Sequence, residues 1–296
     1  MEKSKQNKEE QGGRRGEEGK GSMKAFLGPA GSYSHEAAAA YFGEAELKAV
    51  ASFADVFEEA RAGNGGLVPI ENSSHGSVVQ VLDLFLEVGG VVVVDEVYAR
   101  VRHCLVCRGG MESITTVVSH PQAIGQCTHF LRKTLPHVDV LEVASTSLAA
   151  QMASKDPSVA GISSQFAAER YNVRCLAKDI QDSQDNTTRF FVLASQLAVP
   201  VEKDAKTVIL FTVPHRSPGA LCDTLRLFKD HGLDLWSIQS RPSGNSLWQY
   251  AFYVECSGSL EDEAVQQTVA AMRTICLHVR ILGSFPDQRP PATSYI

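Results

Sequence analysis

Thr188 stands in the run Asn186-Thr187-Thr188-Arg189-Phe190-Phe191-Val192-Leu193, a polar cluster at the mouth of an apolar strand. A threonine hydroxyl is too weak an acid to protonate a leaving group outright. Held rigidly in a dry site, it can donate a hydrogen bond as negative charge grows on a departing oxygen. Along an extended strand Thr188 and Phe190 share one face and Arg189 takes the other. Arg189 then either anchors a carboxylate from behind the site or pairs with an acid of the fold. Two other stretches carry candidate groups. Glu71-Asn72 follows the apolar run Leu67–Ile70 and offers fixed acceptors and donors for a hydroxyl or carboxylate, although Asn72 with Gly76 also suits a plain turn. Ser119 and Gln126 flank a helix start roughly two turns apart, so both can face one cleft. His120, beside Pro121, reads as a structural contact rather than a base.

The elements that must position these groups follow a repeated pattern of short apolar strand, polar or Gly-rich turn and Ser/Thr-headed helix. Strands are expected at Lys24–Leu27, Val50-Ala51, Leu67–Ile70, Thr115–Val118, Val138–Val143 and Val159–Ile162. The helices between them are expected over 36–41, 54–62, 78–86, 122–135, 148–153 and 166–171. Such alternation implies crossover units, a mostly parallel sheet and an α/β architecture, with ligands beyond the carboxyl ends of the strands. Each turn presents a helix N-terminus that favours anions, and four or five together suit a small ligand with more than one carboxylate. Serine and threonine are also simply good N-caps. The pattern breaks at Pro200–Asp204, which marks a linker. Beyond it the order strand, helix, strand, strand, helix, strand in about eighty residues is the split ferredoxin-like arrangement.

Composition narrows the function classes. The net charge of −6 argues against a nucleic-acid binder, and no apolar stretch is long enough to span a membrane. Seven scattered cysteines point to reduced thiols inside a cell and to a cytoplasmic protein; Cys104-x-x-Cys107 lacks a second pair at zinc spacing, so no metal is expected. Gly63-Asn64-Gly65-Gly66 lacks the lysine of a phosphate-binding loop, and no dinucleotide fingerprint or nucleophile elbow is present, so no cofactor is expected either. Residues 1–22 are polar and low in complexity and read as a disordered tail; five glutamates fit poorly with a plastid transit peptide.

Taken in order, Gly28-Pro29-Ala30-Gly31-Ser32-Tyr33-Ser34, Pro69-Ile70-Glu71-Asn72-Ser73, Ser119-His120-Pro121-Gln122-Ala123, Gln126-Cys127 and Asn186-Thr187-Thr188-Arg189-Phe190 resemble the prephenate dehydratase family. Gly219-Ala220-Leu221 and Ser240-Arg241-Pro242 resemble the two signature stretches of that family's ACT regulatory domain. The resemblance implies a catalytic domain over 24–200 with two lobes like those of periplasmic binding proteins. The first lobe would hold 24–100 and 187–198, and the second 101–186. An ACT domain would follow over 205–285, with a tail at 286–296. It implies loss of water and carbon dioxide from prephenate, with Thr188 aiding departure of the ring hydroxyl and Glu71, Asn72, Ser119, Gln126 and Arg189 lining the cleft. It also implies phenylalanine bound as feedback inhibitor at Gly219, Ala220, Leu221, Ser240, Arg241 and Pro242, in a homodimer or homotetramer. One departure stands out: the family's usual Glu-Ser-Arg-Pro reads Gln239-Ser240-Arg241-Pro242 here. The rival readings are arogenate dehydratase, which shares every motif quoted, and a non-catalytic amino-acid sensor with an inherited cleft.

Overall fold

The structure is a computed structural model that describes residues 23–197, 204–214, 217–243 and 249–290. The tail 1–22, the linker residues 200–203, the strand start expected at Trp248 and residues 291–296 lie outside the described residues. The chain opens with β1 (Lys24–Leu27), α1 (Tyr33–Phe42), β2 (Leu47–Val50), α2 (Phe53–Arg61) and β3 (Gly66–Asn72). The short β4 (Gly76–Ser77), α3 (Val79–Glu87) and β5 (Val92–Arg100) follow. A second run holds β6 (Cys104–Cys107), β7 (Thr116–Ser119), α4 (Pro121–Gly125), α5 (Thr128–Thr134), β8 (Asp139–Glu142), α6 (Thr146–Lys155), β9 (Val159–Ser163), α7 (Gln165–Arg170) and β10 (Arg174–Ala177). The chain then returns as β11 (Thr187–Ala194). It ends with β12 (Ala205–Thr212), α8 (Ala220–Asp230), β13 (Leu235–Pro242), β14 (Tyr250–Ser257), α9 (Glu263–Ile275) and β15 (His278–Pro286).

The strand orders β2-β1-β3-β11-β5 and β8-β7-β9-β6-β10 are two versions of one plan. In each, three parallel strands are followed by an antiparallel fourth, β11 against β3 and β6 against β9. Because β11 comes back from the second unit, the chain crosses between units twice, through residues 101–103 and again through 178–186. The helices start where expected for a local reason. The hydroxyls of Ser32, Ser52, Ser145 and Ser164 each accept a hydrogen bond from the amide three residues on, so capping accounts for these serines. The helix expected over 122–135 is instead α4 and α5, broken at Gln126-Cys127. There the Gln126 carbonyl accepts from the Asp182 amide (2.7 Å) of the second crossing, which pulls it out of the helical ladder.

The C-terminal strands run antiparallel in the order β13-β14-β12-β15, a split βαββαβ unit. This sheet continues the first one through a single register pair, Gly283 of β15 with Val93 of β5. A Cβ at Gly283 would lie 2.2 Å from the Val93 carbonyl oxygen, so only glycine permits that approach. The units also share a core in which Phe57, Phe85, Phe191 and Phe285 stack edge to face in series, with centroids 4.9, 6.4 and 5.9 Å apart. Burial of each ring stabilises the assembly by about 1.5–3 kcal/mol. Cys104 and Cys107 sit three apart on β6 and therefore on opposite faces, buried in two different clusters. Burial raises both thiols, Cys104 to about 12. Among the described residues no helix is long and apolar enough to cross a membrane, and no cluster of three or more His, Cys, Asp or Glu could hold a metal ion.

Candidate active site

The site is built outward from a turn. The backbone amides of Ser74 (3.0 Å) and His75 (3.2 Å) donate to the side-chain oxygen of Asn72, so this oxygen can only face the turn. The Asn72 amide nitrogen is thereby turned to the other side. It donates to Asn186 Oδ1 (2.8 Å) and to Thr188 Oγ1 (2.9 Å). Asn186 must then present its own nitrogen onward, and it donates to Gln126 Oε1 (3.0 Å). His103 Nε2 lies 2.7 Å from the same oxygen, which has no hydrogen to give, so Nε2 carries the proton. Two unambiguous backbone donors thus set the polarity of the whole chain of amides.

That polarity leaves two donors free. The Thr188 hydroxyl accepts from Asn72, and among the described residues nothing takes its proton. Gln126 has both donors on its oxygen, and its amide nitrogen has no partner among the described residues. Thr188 comes from the end of β11 in the first unit, and Gln126 from the break between α4 and α5 in the second. An O–H and an N–H₂ without acceptors among the described residues, on opposite units and linked through Asn72 and Asn186, are the groups of this network that could receive the oxygens of a ligand. On the first-unit side, the loop before α1 touches the second unit, where Ala30's carbonyl accepts from the hydroxyls of Ser147 and Tyr171.

Several expected site residues are placed elsewhere. Glu71 was expected beside Asn72 in the cleft, but β3 runs on through Asn72, so adjacent residues alternate in face. Asn72 pairs with Thr188 across the ladder and Glu71 pairs with Arg189. Glu71 therefore lines a cavity of about 20 Å³ against the C-terminal unit, together with Gln239 and Glu255. Arg189 is an ion-pair residue rather than a ligand anchor. Its Nε donates to Glu96 (2.7 Å), its Nη1 to Glu255 (2.8 Å) and its Nη2 also to Glu255. Burial opposes the Arg189 charge, but Glu255 and Glu96 more than offset this and raise its pKa. The Ser119 hydroxyl is fully buried and donates to the Ile162 carbonyl (2.7 Å), pinning β7 to β9 and contacting no cleft. Asn72 is saturated on both ends of its amide, so it holds Thr188 instead of binding a ligand. His120 caps α4, its Nδ1 accepting from the Gln122 amide (3.3 Å). Of the expected cleft residues, the structure joins Thr188, Asn72 and Gln126 in one network and separates Glu71, Ser119 and Arg189 from it.

Three members of the network were not singled out from the sequence. Asn186 heads the Thr188 run and lies one residue before the strand. Tyr33 appeared only within the stretch Gly28–Ser34 and was given no role, and His103 carried no signal beyond its residue type, because their partners are tens of positions away. Tyr33's hydroxyl lies 2.8 Å from His103 Nδ1 and 2.9 Å from the Arg102 carbonyl. Burial raises the Tyr33 pKa well above its ordinary value and lowers that of His103, so both are neutral near pH 7.

In the C-terminal unit, Gly219 adopts a left-handed conformation (φ 83°) and opens α8, with Ala220 and Leu221 in its first turn. Ser240, Arg241 and Pro242 close β13 at the same end of the sheet, where Arg241 pairs with Ala251 and Ala251 with Thr212 of β12. Arg241 reaches back to the first unit, gripping Asp83 of α3 through Nε (2.7 Å) and Nη2 (3.0 Å).

The family model for prephenate dehydratase matches residues 24–197. The chain is a member of the prephenate dehydratase family. It is 38% identical over 265 residues to a bifunctional chorismate mutase/prephenate dehydratase of Aquifex aeolicus, a match covering 88% of this chain and 73% of that protein. Prephenate dehydratase of Arthrobacter aurescens, solved in complex with L-Phe, superposes with a TM-score of 0.82 at 29% identity, over 92% of this chain and 93% of that one. The Staphylococcus aureus enzyme gives a TM-score of 0.76 at 27% identity, over 89% of this chain and 99% of that one.

Proposed function

We propose that the chain is a prephenate dehydratase that converts prephenate to phenylpyruvate, with the Thr188 hydroxyl assisting departure of the ring hydroxyl. The observation that carries this reading is the Thr188 hydroxyl itself, oriented by Asn72 with its proton unclaimed. The ring carboxylate leaves as carbon dioxide, and the electrons of the broken C–C bond become a ring π bond. The C–O bond breaks with its pair on oxygen, and that oxygen takes up one proton, drawn ultimately from the solvent, to leave as water. Aromatisation supplies the driving force, so the protein needs only to position the dianion and stabilise charge growing on one oxygen. Thr188 O–H meets that oxygen, and the Gln126 amide N–H₂ is suited to a substrate carboxylate. Family membership and the relatives' names support this activity.

The C-terminal βαββαβ unit reads as an ACT domain that binds phenylalanine near Gly219–Leu221 and Ser240–Pro242, in a dimer or tetramer. Support comes from the strand order, from Ser240–Pro242 closing β13 at the end of the sheet where β12 runs out toward α8, and from the L-Phe complex of the Arthrobacter relative. Arg241, committed to Asp83, then serves as the link from that end to α3. The test is turnover of prephenate and arogenate side by side, followed as phenylpyruvate and phenylalanine, with and without added phenylalanine. Faster turnover of prephenate, slowed by phenylalanine, is the expected result; preference for arogenate overturns the substrate assignment, and indifference to phenylalanine overturns the regulatory one.

A further inference from the structure

The two chain crossings that join the units meet on one atom. His103 belongs to the first crossing and Asn186 to the second, and both donate to Gln126 Oε1 from the buried side. His103 is 2% exposed, and its backbone is held as well. Its amide donates to Gln181 Oε1 (2.8 Å), and its carbonyl accepts from the Ile180 amide (3.0 Å), both in the second crossing. The ring is gripped at its other nitrogen by Tyr33 of α1. The imidazole thus spans first unit, crossing and second unit in a single chain of contacts.

We infer that His103 is a positioning residue for the dehydration: held in place by Tyr33 and with its proton on Nε2, it fixes the Gln126 amide so that its N–H₂ faces the substrate. This rests on the prephenate dehydratase reading. The polarity argument makes the role specific. The Nε2–H follows from Gln126 Oε1, which can only accept; at the other nitrogen the single Tyr33 proton is shared between His103 Nδ1 (2.8 Å) and the Arg102 carbonyl (2.9 Å), so Tyr33 holds the ring in place without choosing its tautomer. Without the Nε2–H, Gln126 keeps only the Asn186 donor and is free to rotate its oxygen toward the incoming carboxylate. Leaving one partner of a buried hydrogen bond unmet costs about 1–3 kcal/mol, or roughly a 5- to 150-fold change in an equilibrium. Leucine at 103 keeps the bulk and removes the donor, whereas the amide nitrogen of glutamine reaches the position of Nε2.

The experiment compares His103→Leu, His103→Gln and Tyr33→Phe, each alone and with Gln126→Ala, by steady-state kinetics on prephenate. His103→Leu is expected to lower kcat/KM by roughly tenfold or more, mostly through KM, since the lost group orients a binding amide. His103→Gln should recover to within about threefold, and Tyr33→Phe should fall between the two. In the Gln126→Ala background His103→Leu should add almost nothing, because its effect passes through that amide. Equal losses in both backgrounds, or no rescue by glutamine, overturn the assignment. Should leucine prevent folding, Tyr33→Phe with and without Gln126→Ala carries the same cycle. If the folded wild-type chain does not turn over prephenate, the activity reading fails separately. Calorimetric Kd values for prephenate then read the cycle, and additive losses there overturn the assignment in the same way.

Discussion

Thr188 and Arg189 are neighbours on β11, yet they live in opposite electrostatic worlds. The Thr188 face is built from neutral groups, Asn72, Asn186, Gln126, His103 and Tyr33, and its hydrogen-bond order leaves donors free. The Arg189 face is a closed ionic knot. Arg189 pairs with Glu96 and Glu255, and Lys206 donates to Glu96 (2.8 Å) with both side chains almost fully buried. Asp287 lies 3.3 Å from Lys206. The Arg189 guanidinium is taken up by these acids, and the knot fastens the first unit to the C-terminal unit. A catalytic hydroxyl needs unmet capacity, and an interface needs none. Strand alternation supplies both from consecutive residues.

Removing an acid from the knot should have the largest effect. Glu255→Ala leaves the buried Arg189 charge short of its bidentate partner, and a loss of about 3–5 kcal/mol in unfolding free energy is expected. A loss under about 1 kcal/mol in denaturant titration would show that the knot does not hold the interface. Next comes Thr188→Ala on the other face, where stability should barely change. There kcat should fall about 10²–10³-fold, the usual consequence of losing one donor to a developing oxyanion. Turnover near the wild-type rate removes Thr188 from the mechanism.

Gly283→Ala attacks the seam between the sheets, where the added methyl meets the Val93 carbonyl. Overpacking of this kind costs about 1–3 kcal/mol. An unchanged melting temperature would mean that the seam opens freely. The smallest effect is expected from pH. Burial depresses His103 and His35 below the ordinary histidine value of about 6.5, so the unfolded chain binds more protons than the folded one under mildly acidic conditions. Stability from these rings is complete above about pH 6.5 and declines as pH falls below it. His103→Gln should flatten that slope in melting curves taken from pH 7.5 to 5.5, and an unaltered slope would remove His103 from it.

Gln239 lies at the same interface. The position faces the small cavity that Glu71 and Glu255 line, so the family's usual carboxylate would place a third acid there. Deleting residues 205–296 would disturb the first unit as well. Such a chain would lose Glu255 from Arg189 and uncover Phe85 and Phe191, which pack against the C-terminal unit.

Local signals were read directly from the chain: the alternation of strand and helix, the serine caps, the βαββαβ order after residue 204, and the Thr188 run at a strand mouth. Each depends on residues within a few positions of one another, where periodicity and capping chemistry act. Glu71 was assigned to the wrong face because its strand runs two residues past the apolar stretch that announced it. Ser119, Arg189 and Arg241 carry the right chemistry for a ligand, but only the packed fold shows that Ile162, Glu255 and Asp83 already occupy them. Tyr33 and His103 are 70 positions apart, and Gln126 and Asn186 are 60 apart. No local pattern links them, because what joins them is the return of the chain through a second crossing. The sequence by itself determined which residues could do the chemistry; the tertiary structure decided which of them kept a free hydrogen, since that depends on partners brought from the far end of the chain.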